Sequence, residues 1–117
     1  RLLRSKKYTK AEDNLELLYA QVGDESPFYL KMKAYIQSKQ GKIEEAYESY
    51  QRAIDFDSKD LGSHYNIALL AVKLKDYVSA KEYLDIAAKG AQYKDKAQRL
   101  LNNIAKLEKL EQMKHGI

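Results

Sequence analysis

The chain has no cysteine, no tryptophan, one proline (Pro27) and five glycines among its 117 residues. Without cysteine there are no disulfide frameworks, no thiolate metal sites and no cysteine nucleophiles. No apolar run approaches the ~20 residues needed to cross a bilayer as a helix, and no signal-peptide pattern stands at the start. One ordinary domain fits this length and two independent ones do not. The first residue is Arg1 rather than methionine, so the chain is expected to be a fragment of a longer protein. Catalytic groups are also scarce. The two histidines, His64 and His115, are about fifty residues apart, and neither has an obvious partner. Glu44-Glu45 and Glu12-Asp13 are neighbours along a helix and point in different directions. Asp55 to Asp60 begins like a calcium loop, but a lysine in a ligand place and Asn66 in place of the closing glutamate exclude that reading. Gly41-Lys42 lacks the upstream glycine and the following hydroxyl of a phosphate loop. The expectation is therefore a non-catalytic protein with no cofactor and no metal.

What the chain has is charge, spread unevenly, and aliphatic residues in a helical rhythm. Hydrophobic residues make up 44% and charged residues 32%, a composition of helix-prone globular chains rather than disordered ones. The net charge of +4 comes from the ends. Five basic and no acidic side chains lie in residues 1–10, and six basic against three acidic in 94–117. The stretch between has ten basic against fourteen acidic. A duplex-binding domain concentrates its positive charge on a face built by its core elements, and this distribution argues against nucleic acid.

An internal period organises the middle. Tyr8-x2-Ala11, Ile43-x2-Ala46 and Tyr77-x2-Ala80 align, with alanines 35 and then 34 residues apart. Four residues past each alanine stand Leu15, Tyr50 and Leu84, and seven past it Leu18, Ala53 and Ala87. Spacings of three and four put these residues on one stripe of a helix. The alanines let a neighbouring helix approach, and the bulky residue one turn later fills the groove beside it. Ahead of two of these helices lie partner helices: one from Phe28, with Leu30, Ala34 and Ile36 for packing, and one over residues 62–74, with Ile67, Ala68 and Ala71. Ser26-Pro27 reads as an N-cap followed by proline at the first helical position. Gly41 suits the left-handed residue that ends a helix, and Lys75 occupies the matching slot. Gln92 to His115 reads as one long last helix, with Ala97, Leu100, Leu101, Ile104, Leu107 and Leu110 apolar.

A period near 34, paired helices and an A-x3-bulky-x2-A second helix resemble the tetratricopeptide (TPR) repeat. His64-x2-Ile67-Ala68-x2-Ala71 keeps the large-then-small pair of the family's first helix. Leu30-x2-Lys33-Ala34 keeps the small residue but puts lysine where leucine is usual, and the closing proline is absent from both units. The resemblance implies an all-α, right-handed superhelical stack of antiparallel helix hairpins, a TPR-like α-solenoid with a long C-terminal capping helix. It divides a single domain, 1–117, into a partial first repeat (1–22, with only its second helix complete and 1–5 the tail of a preceding helix), repeats at 27–60 and 61–90, and a capping helix at 92–115 whose distal part projects. His64 is expected to be a packed imidazole.

The resemblance further implies a protein-interaction or scaffold module whose first helices line a concave face. Inner-facing positions are then Phe28, Lys31, Met32, Tyr35 and Lys39 in one helix, and Tyr65, Asn66, Leu69 and Lys73 in the next. The capping helix adds Lys96, Arg99 and Asn103. Aromatic, amide and basic, with no acid among them, this face suits a protein or peptide segment carrying acidic residues. Three alternatives remain open. Self-association would use the N-terminal edge at Leu2 and Leu3, or the long last helix. A clamp for a C-terminal carboxylate would use Lys31, Asn66 and Lys96, although Tyr35 replaces its first asparagine, Leu100 its arginine, and Arg99 is one residue off. Single-stranded RNA binding would need the ten tyrosines on one exposed face, whereas Tyr8, Tyr50 and Tyr77 occupy repeat-core slots.

Overall fold

The structure, a computed structural model, describes residues 2–23 and 26–115, with side chains over 10–23 and 26–114. The described residues form six α-helices and no strand: α1 (Leu2–Val22), α2 (Pro27–Lys39), α3 (Ile43–Phe56), α4 (Leu61–Lys73), α5 (Tyr77–Ala87) and α6 (Ala91–His115). Local chemistry sets their starts. The Ser26 hydroxyl accepts from the Tyr29 amide at 3.4 Å, and Pro27 supplies a preset φ where no amide hydrogen is needed. Asp60 and Asp76 cap α4 and α5, each accepting at 3.2 Å from the amide three residues on, Ser63 and Ser79.

The ends of α2 and α4 are built alike. Gly41 (φ 84°) and Lys75 (φ 61°) both turn left-handed. Lys42 then donates its amide to the Gln37 carbonyl and Asp76 to that of Ala71, both at 2.9 Å. These are the bonds of a Schellman turn. With three-residue links, α2–α3 and α4–α5 can only fold back antiparallel.

The core is a line of three clusters rather than one centre. Tyr29, Leu30 and Ala53 sit under Leu15 and Leu18 of α1. Ala34, Ala46, Tyr50, Ile67 and Leu70 join α2, α3 and α4. Ala68, Ala71, Ala80, Leu84, Ala97 and Ile104 join α4, α5 and α6. Ala46 and Ala80 are fully buried, so the helices meet at their methyls. Leu30, Ile67, Leu84 and Ile104 are the largest fully buried side chains, each stabilising by about 1.5–3 kcal/mol. Each hairpin contacts its neighbours only, the arrangement of a helical repeat. The molecule is accordingly elongated, 52 × 34 × 21 Å.

Three features differ from the sequence expectation. Residues 2–22 form one continuous helix instead of a tail at 1–5 followed by a new helix near Tyr8. Ser5-Lys6-Lys7 offers no glycine or proline to break it, and lysine is a good helix former. Ala11 is half-buried, unlike its counterparts, because α1 packs chiefly on α2 alone. Finally, α6 follows the body further than expected: Glu108 pairs with Lys81 at 2.8 Å and Glu111 with Lys75 at 3.5 Å. Past those pairs, Met113 is exposed. The expected edge at Leu2 and Leu3 and the core slot of Tyr8 concern side chains outside those described. No helix among the described residues is long and apolar enough to cross a membrane.

Candidate functional site

Two hollows lie side by side along α2 and α4. The first, about 510 Å³, is walled by Ala11 and Asn14 of α1, by Lys31, Met32, Tyr35 and Ile36 of α2, and by Tyr50 of α3. Asp60, Gly62, Ser63 and Asn66 at the start of α4 and Tyr93 of α6 complete it. Its size falls within the ~300–1,000 Å³ usual for ligand sites. The second, about 340 Å³, is lined by Tyr35, Ser38, Lys39, Tyr50, Asn66, Leu69, Leu70 and Lys73. Tyr35, Tyr50 and Asn66 belong to both, so the hollows are neighbouring stretches of one groove.

The electrostatics of the two stretches differ. In the first, the Lys31 ammonium donates to Asp60 Oδ2 at 2.6 Å. The same carboxylate accepts from the Ser63 hydroxyl at 3.1 Å and the Ser63 amide at 3.2 Å. Burial pushes the Asp60 carboxyl up, but the Lys31 hydrogen bond and charge and the two Ser63 donors outweigh it and hold the group below its ordinary value. Asp60 is thus both the cap of α4 and the counter-ion of Lys31, and the pair leaves the described lining of the first stretch without net charge. Burial also pushes the Tyr50 phenol up to about 12, although a hydrogen bond with Asn66 acts the other way, so it remains a neutral hydroxyl. Among the described residues, the lining of the second stretch includes Lys39 and Lys73 and no acid. The Lys39 ammonium lies 5.3 Å from the Tyr35 ring centroid, within cation–π range.

Of the residues expected on the binding face, Lys31, Met32, Tyr35, Lys39, Asn66, Leu69 and Lys73 line these hollows. Lys96, Arg99 and Asn103 do not; they are exposed along α6, which sends Tyr93 into the groove instead. Tyr65 lines neither hollow and stacks on Tyr93, with centroids 5.8 Å apart. Phe28 stands 58% exposed outside both hollows. The sequence reading left out Asp60, which reaches the groove through its capping role; the signal was an aspartate three residues before a serine at a helix start. It also counted Lys31 as an available cation. Paired to Asp60, Lys31 is not the free amine that a carboxylate clamp needs. His64 is buried, its Nδ1 donating to the Asp60 carbonyl at 2.8 Å and its ring 6.1 Å from that of Tyr83.

Residues 34–75 match the family model of the TPR repeat, a span running from within α2, through α3, to the turn after α4. A comparison with curated proteins found no match. The matched span and the all-α architecture of paired helices agree on a TPR-like helical repeat. TPR repeats generally mediate protein–protein interaction or scaffolding, and the family is typically non-catalytic.

Proposed function

We propose that this chain is a non-catalytic interaction module that binds a segment of a partner protein in the groove between α2 and α4. The observation that carries this reading is the continuity of the two hollows through Tyr35, Tyr50 and Asn66. One flexible segment can occupy both, using aromatic area for affinity and amide groups for its backbone. In this reading the units 27–60 and 61–90 wind as a right-handed superhelix with the groove on its concave side.

The test is a selection of random peptides displayed on phage against the full chain, repeated with Tyr35→Ala, Asn66→Arg and, as a control, Glu82→Ala. All three positions are exposed, so folding should persist, and circular dichroism checks it. Peptides that bind the parent and the control but lose the two groove variants support the reading. Peptides indifferent to both groove variants would sink it. A second reading, self-association, is favoured by Leu17 and Val22, which stand 66% and 47% exposed on α1. Sedimentation over a concentration series tests it, and a strict monomer throughout eliminates it.

A further inference from the structure

We infer that Tyr93 is a specificity-determining residue of the groove and that Gly62 is the residue that positions it, which makes α6 part of the binding site as well as the end of the stack. The inference rests on the groove reading above and adds the partner's chemistry at one point, a large apolar side chain against the Tyr93 ring.

Two glycines where α4 and α6 begin carry the argument. Gly23 and Gly41 have left-handed φ values, whereas Gly62 and Gly90 do not, so backbone conformation does not call for glycine at either of the latter. Gly62 moreover lies in the first turn of α4, and alanine is the better helix former. What both positions provide is space. A Cβ on Gly62 would lie 2.8 Å from the Tyr93 hydroxyl oxygen, and one on Gly90 would lie 2.6 Å from Leu61 Cδ1. Each is well inside the ~3.5–4.0 Å at which non-bonded atoms rest. The missing methyls therefore let the starts of α4 and α6 close on each other. Tyr93 comes to rest against Gly62, half-buried, its ring within 27° of parallel to that of Tyr65.

The walls around Tyr93 decide what it can meet. Met32, Tyr35, Ile36 and Tyr50 line the same hollow. A large apolar side chain entering there buries aromatic and thioether surface together with its own.

The test uses the peptides from the selection above that lose binding to Tyr35→Ala, with affinities measured by titration and folding checked by circular dichroism. Tyr93→Ala should weaken them by about ten-fold or more. Replacing one large apolar residue of the peptide by alanine should abolish the difference between the parent and Tyr93→Ala, the mark of direct contact. Gly62→Ala should weaken binding by about five-fold or more, because its methyl displaces the hydroxyl end of Tyr93. Tyr93→Phe removes the oxygen that this methyl strikes, and should itself bind within about two-fold of the parent. The Gly62→Ala/Tyr93→Phe double variant should then recover the affinity of Tyr93→Phe, a rescue that a general disturbance of α4 would not allow. Groove-dependent peptides indifferent to Tyr93→Ala would overturn the inference and leave the groove reading standing. So would a Tyr93→Ala loss that no apolar residue of the peptide accounts for, or a Gly62→Ala protein that binds like the parent or is not rescued. Finding no groove-dependent peptide would overturn both.

Discussion

Asp60 shows how much one side chain can carry. It ends the turn after α3, caps α4 and anchors Lys31. Removing its carboxylate in Asp60→Ala should cost about 0.5–2 kcal/mol for the cap alone, read as a lowered urea midpoint. Its carboxyl is held below the ordinary value, and this fixes the sign of a pH effect. The stabilisation is complete above the unfolded-state pKa of about 3.9 and is lost as pH falls through the lower folded-state value. Asp60→Asn keeps an oxygen for the cap but cannot ionise, so its melting temperature should fall less steeply on acidification than the parent's. Parallel acid profiles for the two would show that the Lys31 pair contributes nothing.

Lys75 illustrates the opposite case, a residue whose backbone opposes its side chain. A non-glycine residue in the left-handed region costs roughly 1–2 kcal/mol, and the same turn in the preceding hairpin uses Gly41. The pair with Glu111, at 3.5 Å on an exposed lysine, returns less than about 1 kcal/mol. Lys75→Gly should therefore raise the unfolding free energy by up to about 1 kcal/mol, measured by chemical denaturation. A clear loss would mean that the ion pair governs this turn.

At the scale of elements, contact between helices depends on alanine. Ala46 and Ala80 are both fully buried where α3 meets α2 and where α5 meets α4. Ala46→Leu and Ala80→Leu should each cost about 1–3 kcal/mol by overpacking, while Glu48→Ala on the exposed face should stay within about 0.5 kcal/mol. Thermal melts of the three variants compare them directly; equal shifts would mean that the stripe was misassigned. Ala11, at the same position of the repeat, borders the first hollow instead. Leucine there has room, so Ala11→Leu should be mild for stability while narrowing the hollow.

At the scale of the whole molecule, stability should follow the line of clusters. α4 packs against α3, α5 and α6, whereas α1 packs chiefly on α2. In such linear arrays terminal units open with lower free energy than central ones. Amide hydrogen exchange should accordingly be fastest in α1 and slowest in α4, and protection of α1 equal to that of α4 would contradict a linear core. Ile104→Ala, which removes the fully buried residue by which α6 closes the last cluster, should cost about 2–5 kcal/mol.

The sequence by itself determined the helices and stripes that follow Ser26, whereas it broke α1 near Tyr8 and expected Ala11 to be buried like its counterparts. Ser26-Pro27, Asp60, Asp76 and the Gly41 and Lys75 turns act within a few residues, and the alanine spacing states which face is buried. Helix and packing period are local properties, so they can be read locally. Tertiary structure alone decided the content of the groove. Lys31 and Asp60 are 29 residues apart, and only the packing of the α2–α3 hairpin against α4 brings them to 2.6 Å and turns a free cation into a neutral pair. Tyr93 enters the groove, and Lys96, Arg99 and Asn103 stay outside, because the angle at which α6 meets α4 and α5 depends on packing along all three helices. Net charge in a groove is a sum over groups that distant parts of the chain bring together.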